Sequence, residues 1–336
     1  MKTALTEHAG IELPILCGAM YPCSNPELVA AVSEAGAMGI IQPLSLVYVH
    51  GHDFRAGLQL IKRMTRRPIG MNIIVEKSSK KYLERMQSWL DIALEEGIRF
   101  FVTSLGDPKW VVQRVESVGG VVYHDVTARH WAEKALSSGV HGLICVNDQA
   151  GGHAGTQTLR SLFEEMQDLG VPLVAAGGLA SPDDITEAID VGYAGVQMGT
   201  RFIATTECSA HQDYKQAIVD AQATDIVLTD KISGVPVSVI RTPYIDRIGT
   251  QAGGLTRMLL RHPRSKHLAR MMLSLISLWK LKKASLEGAG YKDYWQAGKS
   301  VRHVDRVESV AELLRRYAAA LHRLEPRSAA GGEVDA

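Results

Sequence analysis

LVAAGGLASPDDITEAIDVGYAGVQM, residues 173–198, reads as one complete strand–helix–strand unit. Leu173 to Ala175 is a continuous apolar run. Ser181-Pro182, with Asp184 three residues after the serine, is a helix N-cap followed by a first turn. Gly192 falls where a left-handed C′ residue ends the helix, and Gly195 to Met198 is a second apolar run. Runs that are apolar throughout, rather than at alternate positions, suit strands buried on both faces in a parallel sheet wrapped by helices.

The same unit repeats back towards the N-terminus. Further strand candidates are Ile15 to Cys17, Gly39 to Gln42, Ile69 to Val75, Phe100 to Thr103, Val121 to Tyr123 and Gly142 to Val146. Helical spacing is seen in Pro26 to Ala35, Tyr82 to Glu95, Ala128 to Leu136, Ser161 to Leu169 and Pro182 to Asp190. Gly36, Gly97, Gly119, Gly139 and Gly170 stand, like Gly192, between a helical stretch and the next strand. Eight such units predict an α/β fold, a closed TIM (β/α)8 barrel with a C-terminal helical extension, rather than an open doubly wound sheet.

Past the eighth strand the pattern changes. Ala210 to Gln222 is expected to be the closing helix, Thr224 to Pro243 an irregular or partly extended excursion, and Gly288 to Gly298 a loop. A last helix, Ser309 to Leu324, places Val310, Leu313, Leu314, Tyr317 and Leu321 on one face. The expected organisation is a barrel core over 1–222, a segment covering or flanking the barrel mouth over 223–325, and a flexible tail over 326–336.

Composition excludes several classes. Of 336 residues, 46% are hydrophobic and 22% charged, which excludes a mainly disordered or fibrous chain. The formal charge of +1 lacks the basic excess of non-specific nucleic-acid binding. Between Arg247 and Leu286, however, there are nine Lys or Arg and no Asp or Glu. That stretch could cover the mouth, meet an acidic ligand group or a membrane surface, form a dimer contact, or be a solvated helix face. Cys17, Cys23, Cys145 and Cys208 form no CxxC pair, which argues against a disulfide framework or zinc ribbon and for a reducing, cytoplasmic setting. Met1 to Gly10 has no apolar core of a signal peptide, and Met271 to Trp279 is far short of the ~20 residues that span a bilayer.

Ligands of such barrels bind at the C-terminal ends of the strands. Ala176-Gly177-Gly178-Leu179 and Met198-Gly199-Thr200-Arg201 follow strands seven and eight, the usual phosphate site, unless their glycines merely permit tight turns. Asn147-Asp148-Gln149-Ala150-Gly151-Gly152-His153-Ala154-Gly155 follows strand six. His153, among small residues, can face a ligand and act as a base near neutral pH, or merely satisfy the loop. His124 and Asp125 end strand five and could line the site, or His124 could be structural. Asn72, inside the third strand run, needs a polar partner. His130 and His141 are expected at the surface. A metal site from His124, Asp125, Asp148 and His153 is disfavoured, since no HxH pair or HExxH helix is present. No strand run holds a lysine for Schiff-base chemistry, and no GxGxxG opens a helix after a strand.

Taken together, residues 14–20 (PILCGAM), Gly70-Met71-Asn72, residues 150–155 (AGGHAG), Ala175 to Gly178, and Gln197-Met198-Gly199-Thr200-Arg201-Phe202 resemble the FMN-dependent nitronate monooxygenases, formerly 2-nitropropane dioxygenases, which are related to NAD(P)H:quinone reductases and FMN-dependent enoyl-acyl carrier protein reductases. The resemblance implies that Ala19 and Met20 lie against a flavin ring, that Asn72 hydrogen-bonds FMN, and that Gly151 and Gly152 sit beside it. Ala176, Gly177, Gly178, Gln197, Gly199 and Thr200 would complete the cofactor site, with the glycines and Thr200 at the phosphate, and His153 would be the catalytic base. Gln149 and Lys299 depart from an acidic residue and a glutamine often found in the family, which bears on the substrate. The expected reaction is oxidation of an alkyl nitronate with O2; the alternative is NAD(P)H-dependent reduction of a quinone or an enoyl thioester. A phosphate-binding barrel without flavin is the reading from another class.

Overall fold

The computed structural model describes residues 1–76, 80–232, 234–253, 279–287 and 294–324. Most of the acid-free stretch Arg247 to Leu286, half of the loop Gly288 to Gly298, and the tail Pro326 to Ala336 lie outside the described residues. Strands β1 (Ile15–Cys17), β2 (Met38–Ile41), β3 (Gly70–Ile74), β4 (Phe100–Ser104), β5 (Val121–Val126), β6 (Gly142–Val146), β7 (Leu173–Ala176) and β8 (Gly195–Met198) pair in parallel in chain order. The barrel closes through β8 and β1, with Leu16 opposite Gln197. The fifth strand runs three residues further than its apolar pattern predicts, so His124 and Asp125 belong to the sheet.

Each strand from β1 to β7 is followed by an outer helix: α2 (Pro26–Glu34), α3 (Phe54–Met64), α4 (Lys80–Glu95), α5 (Lys109–Glu116), α6 (Arg129–Leu136), α7 (Leu159–Met166) and α8 (Pro182–Val191), with α1 (Ala4–Ala9) before β1. Helices α1, α3 and α5 are additions to the sequence reading, although α3 carries a usable start signal in Asp53, whose side chain accepts from the Ala56 amide. Gly36, Gly97, Gly119, Gly139, Gly170 and Gly192 all have positive φ, as helix-ending residues require. Ser181 and Asp184 form the reciprocal capping box their spacing suggests.

Strand alternation sorts the side chains into two cores. Cys17, Met71, Phe101, Val122, Cys145 and Val196 face the helices. Leu16, Ile40, Phe100, Val102, Tyr123, Ile144 and Val174 fill the barrel interior, joined by Leu5 and Ala9 of α1. Helix α1 thereby plugs the end at which the strands begin. A Cβ on Gly195 would stand 2.4 Å from Leu5 Cδ2, so the plug seats only over a bare backbone.

After β8 a short helix, α9 (Thr200–Ile203), leads to α10 (Gln212–Asp220). The excursion expected to be irregular contains an antiparallel hairpin, β9 (Ile226–Thr229) with β10 (Val237–Ile240), followed by α11 (Pro243–Ile248). Residues 279–287 are helical. The final helix, Val310–Leu324, buries Val310, Leu313, Leu314, Tyr317 and Leu321, the predicted face. It packs against both α8 and α2, the ring neighbours on either side of the β8-to-β1 seam. Ring closure therefore belongs to this helix and not to Ala210 to Gln222, as the sequence reading expects. An amphipathic pattern identifies a helix without saying which gap it fills.

A buried ion pair fastens the late helix to the barrel. Arg201 in α9 and Glu308, just before the final helix, are 1% and 4% exposed and meet at 2.9 Å, with Arg306 and Arg316 also on Glu308. Desolvation lowers the Arg201 pKa, so its charge depends on compensation from nearby acids. Replacing Glu308 with alanine leaves that guanidinium buried and uncompensated. The expected loss is about 3–5 kcal/mol in urea unfolding; a loss below about 1 kcal/mol would show that closure does not depend on the pair.

Candidate active site

The barrel interior changes character along its axis. Above the apolar layer built on Tyr123, Val102 and Leu16, the inward positions Asn72 on β3, Asp125 on β5 and Gln197 on β8 are polar. Asn72 meets part of its requirement within the wall, since Nδ2 donates to the Val102 carbonyl at 3.3 Å. Gln197 lies over Gly18, where a Cβ would stand 3.0 Å from its Cγ, and its Oε1 is buried without a partner. Asp125 Oδ1 is in the same condition. Burial pushes the Asp125 carboxyl up to about 7. Ala19, just past β1, packs onto the interior core, and the thioether of Met20 lies beside Gly199.

The rim around this layer consists of loops pressed closely together. Gly177, at φ 110°, passes so near the loop after β6 that a Cβ would stand 2.2 Å from Asn147 Oδ1. Asn147 donates to the Gly177 carbonyl at 2.9 Å and accepts from the Gln149 amide. A Cβ on Gly151 would fall 2.8 Å from the Gly298 nitrogen. Gly298 donates to Thr200 Oγ1 at 3.0 Å, Lys299 donates to the Gln149 carbonyl at 2.9 Å, and Gly152 pairs with Ser238 of β10. The chain after β8 thus returns to the mouth and joins the loops of β6 and β8. Gly151 and Gly177 have a packing reason to be glycine, independent of any ligand. The backbone N–H groups of Gly178 and Gly199 make no hydrogen bond among the described residues and can serve an anion.

His153 stands exposed on the β6 loop, and its ring makes no hydrogen bond among the described residues. The protein around the mouth partly desolvates it and lowers its pKa below 6.5, so it is neutral at pH 7 with a ring nitrogen free to take a proton. His124 is placed elsewhere. It alternates with Tyr123 and Asp125, faces the helices, and its Nδ1 meets Thr103 Oγ1 at 2.8 Å. Burial there holds it near 4, as a neutral structural histidine. Asp148 is at the rim with Oδ1 buried and unpartnered. His130 is exposed as expected, whereas His141 is half-buried and accepts from the Val122 amide. Among the described residues no three His, Cys, Asp or Glu side chains are grouped to hold a metal. The four cysteines are buried thiols.

A cavity of about 450 Å³ lies outside the rim, against Ser181, Arg302, His303 and Arg316. Its charged groups are already engaged: His303 with Asp184 at 2.8 Å, Arg302 with Gln149 Oε1 at 2.7 Å, and Arg316 with Glu308. Asp125 and Gln197, by contrast, leave buried oxygens without a partner inside the barrel mouth, and the chemistry is assigned there.

Asn147 and the residues 296–298 are parts of this site that the sequence reading does not single out as functional, whereas Lys299 enters it only as a position bearing on the substrate. The signal for Asn147 was present, as a polar residue directly after an apolar strand. That residues 296–299 close the rim could not be read locally.

The chain matches a family described as Nitronate monooxygenase across residues 2–319. The chain belongs to that family. A (3aS,4S,5R,7aS)-5-hydroxy-7a-methyl-1-oxo-octahydro-1H-indene-4-carboxyl-CoA dehydrogenase of Mycobacterium tuberculosis is 27% identical over 277 residues, 81% of this chain and 76% of the relative. A probable nitronate monooxygenase of Staphylococcus saprophyticus is 27% identical over 74% of this chain and 81% of its own length. Among solved structures, FabK of Thermotoga maritima superposes with a TM-score of 0.78 at 27% identity, covering 96% of this chain and 98% of that one. This nitronate monooxygenase family member is therefore an oxidoreductase on a TIM barrel. No helix among its described residues is long and apolar enough to cross a membrane.

The rim packing is testable without substrate. Gly177→Ala places a Cβ on Asn147 in a backbone conformation strained for alanine. It is expected to destabilise by about 1–3 kcal/mol in thermal unfolding. Unchanged stability would mean that the β6 and β7 loops are not held together as described.

Proposed function

We propose that this family member is an FMN-dependent oxidoreductase that oxidises alkyl nitronates with O2, with His153 as its base. The observation that carries the reading is the pairing of an unsatisfied polar layer inside the mouth with a neutral, unengaged histidine on the loop above it. The residues present suit a flavin. Ala19 and Met20 offer an apolar wall at the end of β1, Asn72 and Gln197 offer amides, and Gly151 and Gly152 leave backbone close to the mouth. Ala176 to Gly178 with Gly199 and Thr200 would take the phosphate, the Gly178 and Gly199 amides being available for it. When bound, the flavin supplies the two-electron redox chemistry that no side chain here can supply. His153 holds or receives the proton at its free ring nitrogen. Thr200 and the 296–299 segment keep the rim loops in place.

A second reading, an NAD(P)H-dependent reductase of a quinone or an enoyl thioester, draws support from the 27% identity to the indene-4-carboxyl-CoA dehydrogenase of Mycobacterium tuberculosis, whose name carries a CoA thioester. Lys299, half-buried at the rim with no ion pair among the described residues, would suit a substrate carrying phosphates.

Absorption of the purified protein, followed anaerobically on successive addition of NADH, NADPH and a nitronate, separates these readings. A flavin band bleached by nitronate alone supports the first, and bleaching by a pyridine nucleotide supports the second. No flavin band, even after FMN is supplied, defeats both. His153→Ala is expected to retain bound flavin and lose about 10²–10⁴-fold in kcat/KM. In the unaltered enzyme kcat/KM should fall as pH drops through the lowered His153 pKa, below 6.5, where the imidazole becomes protonated. An unchanged kcat/KM in the alanine variant removes His153 from the mechanism.

A further inference from the structure

Asp125 is the penultimate residue of β5 and, two positions on from Tyr123, faces the barrel interior. The residue is half-buried, while its Oδ1 is sealed and has no partner. A carboxylate can only accept hydrogen bonds, and isolating one in such a place is costly. A carboxylic acid can also donate.

Among the described residues the surroundings supply no counter-charge. From β4 the inward neighbours are Val102 and Ser104, and from β6 they are Ile144 and Val146, with Asp148 beyond the strand end and neutral His153 on the loop. On its own strand, Tyr123 faces inward below it, and His124 faces outward onto Thr103. Asp107, past β4, adds another acid rather than a cation. Lys109, Arg114 and Glu116 of α5, and Arg129, His130, Glu133 and Lys134 of α6, are on the helices outside the wall, where Arg114 pairs with Asp91 and Arg129 with Glu133 and Asp168. Burial is the single cause of the raised carboxyl pKa, about 7.

We propose that Asp125 is a binding residue of the barrel mouth that acts as a neutral carboxylic acid, donating a hydrogen bond to a carbonyl oxygen or ring nitrogen of the flavin seated over Asn72 and Gln197. This assignment rests on the flavin reading above. It makes cofactor affinity depend on one proton held by the protein, and no cation has to enter the interior to receive the ring.

The test is the FMN dissociation constant of the apoprotein from pH 5.5 to 9, compared among the wild type, Asp125→Asn and Asp125→Leu. Asn keeps a donor but cannot ionise. The wild-type constant, taken as a ratio to that of Asp125→Asn to cancel titration of the FMN phosphate, should rise about tenfold per pH unit above about 7. Asp125→Leu should bind more weakly than Asp125→Asn at every pH. Parallel profiles for wild type and Asp125→Asn, or wild-type affinity in Asp125→Leu, would overturn the role of Asp125 and leave the flavin reading intact. No FMN binding by any of the three folded proteins would overturn the flavin reading itself.

Thermal unfolding of the ligand-free proteins gives an independent readout and shows whether the variants fold. Because the folded-state pKa is raised, folded wild type holds more protons than the unfolded chain between about pH 4 and 7. Its stability relative to Asp125→Asn should therefore fall as pH rises through that window and level off above it. A difference that does not vary with pH would show that Asp125 is already ionised and would overturn the proposal.

Discussion

A closed parallel sheet has one interior, and here that interior is shut at one end by Leu5 and Ala9 of the first helix. The constraint orders the rest of the molecule. With the strand-start end plugged and the middle filled by Tyr123, Phe100, Val102 and Ile144, inward polar groups that the wall leaves unpaired can be met only from the other end. Asp125 and Gln197 are the penultimate residues of their strands, and Asn72 stands midway along β3. An unsatisfied buried oxygen in an apolar core would simply destabilise it, whereas next to an open mouth the same atom can be met by a ligand. Plug and site are thus two consequences of one closed wall.

The second organising feature is the return of the chain to the rim. Residues 296–299 bridge the loops of β6 and β8, and β10 pairs with the glycine loop that carries His153. The histidine lies on a segment whose backbone is held from three sides although its ring is free. Positioning by backbone while the side chain stays unengaged suits a group that must exchange a proton with a transient ligand.

Much of this was legible in the sequence because barrel strands buried on both faces are apolar throughout and because every outer helix but α3 is followed by a glycine. The eight strands, the six helix-ending glycines and the Ser181 cap follow from local chemistry alone. The end of β5 was harder to see, since its last inward and outward residues are Asp125 and His124, and an apolar criterion stops at Tyr123. Those two side chains also show why candidate residues at a strand end cannot be ranked by type: a one-residue step sends His124 into the helix layer and Asp125 into the mouth. Assignment of ring closure to the final helix depended on contacts across the β8-to-β1 seam, and no local pattern encodes those. The glycines of residues 150–155 and 176–178 were visible, but their packing against Asn147 and Gly298 was not.

The position of the final helix also bears on biosynthesis. A ribosome delivers β8 well before Val310–Leu324, and the whole excursion through the hairpin is made in between. Until that helix emerges, the seam between α8 and α2 is a strip of exposed core, and Arg201 has no Glu308 to meet. The nascent barrel is therefore an open, sticky intermediate for much of its synthesis, and the last turns of helix both complete the hydrophobic shell and release the chain from that exposure.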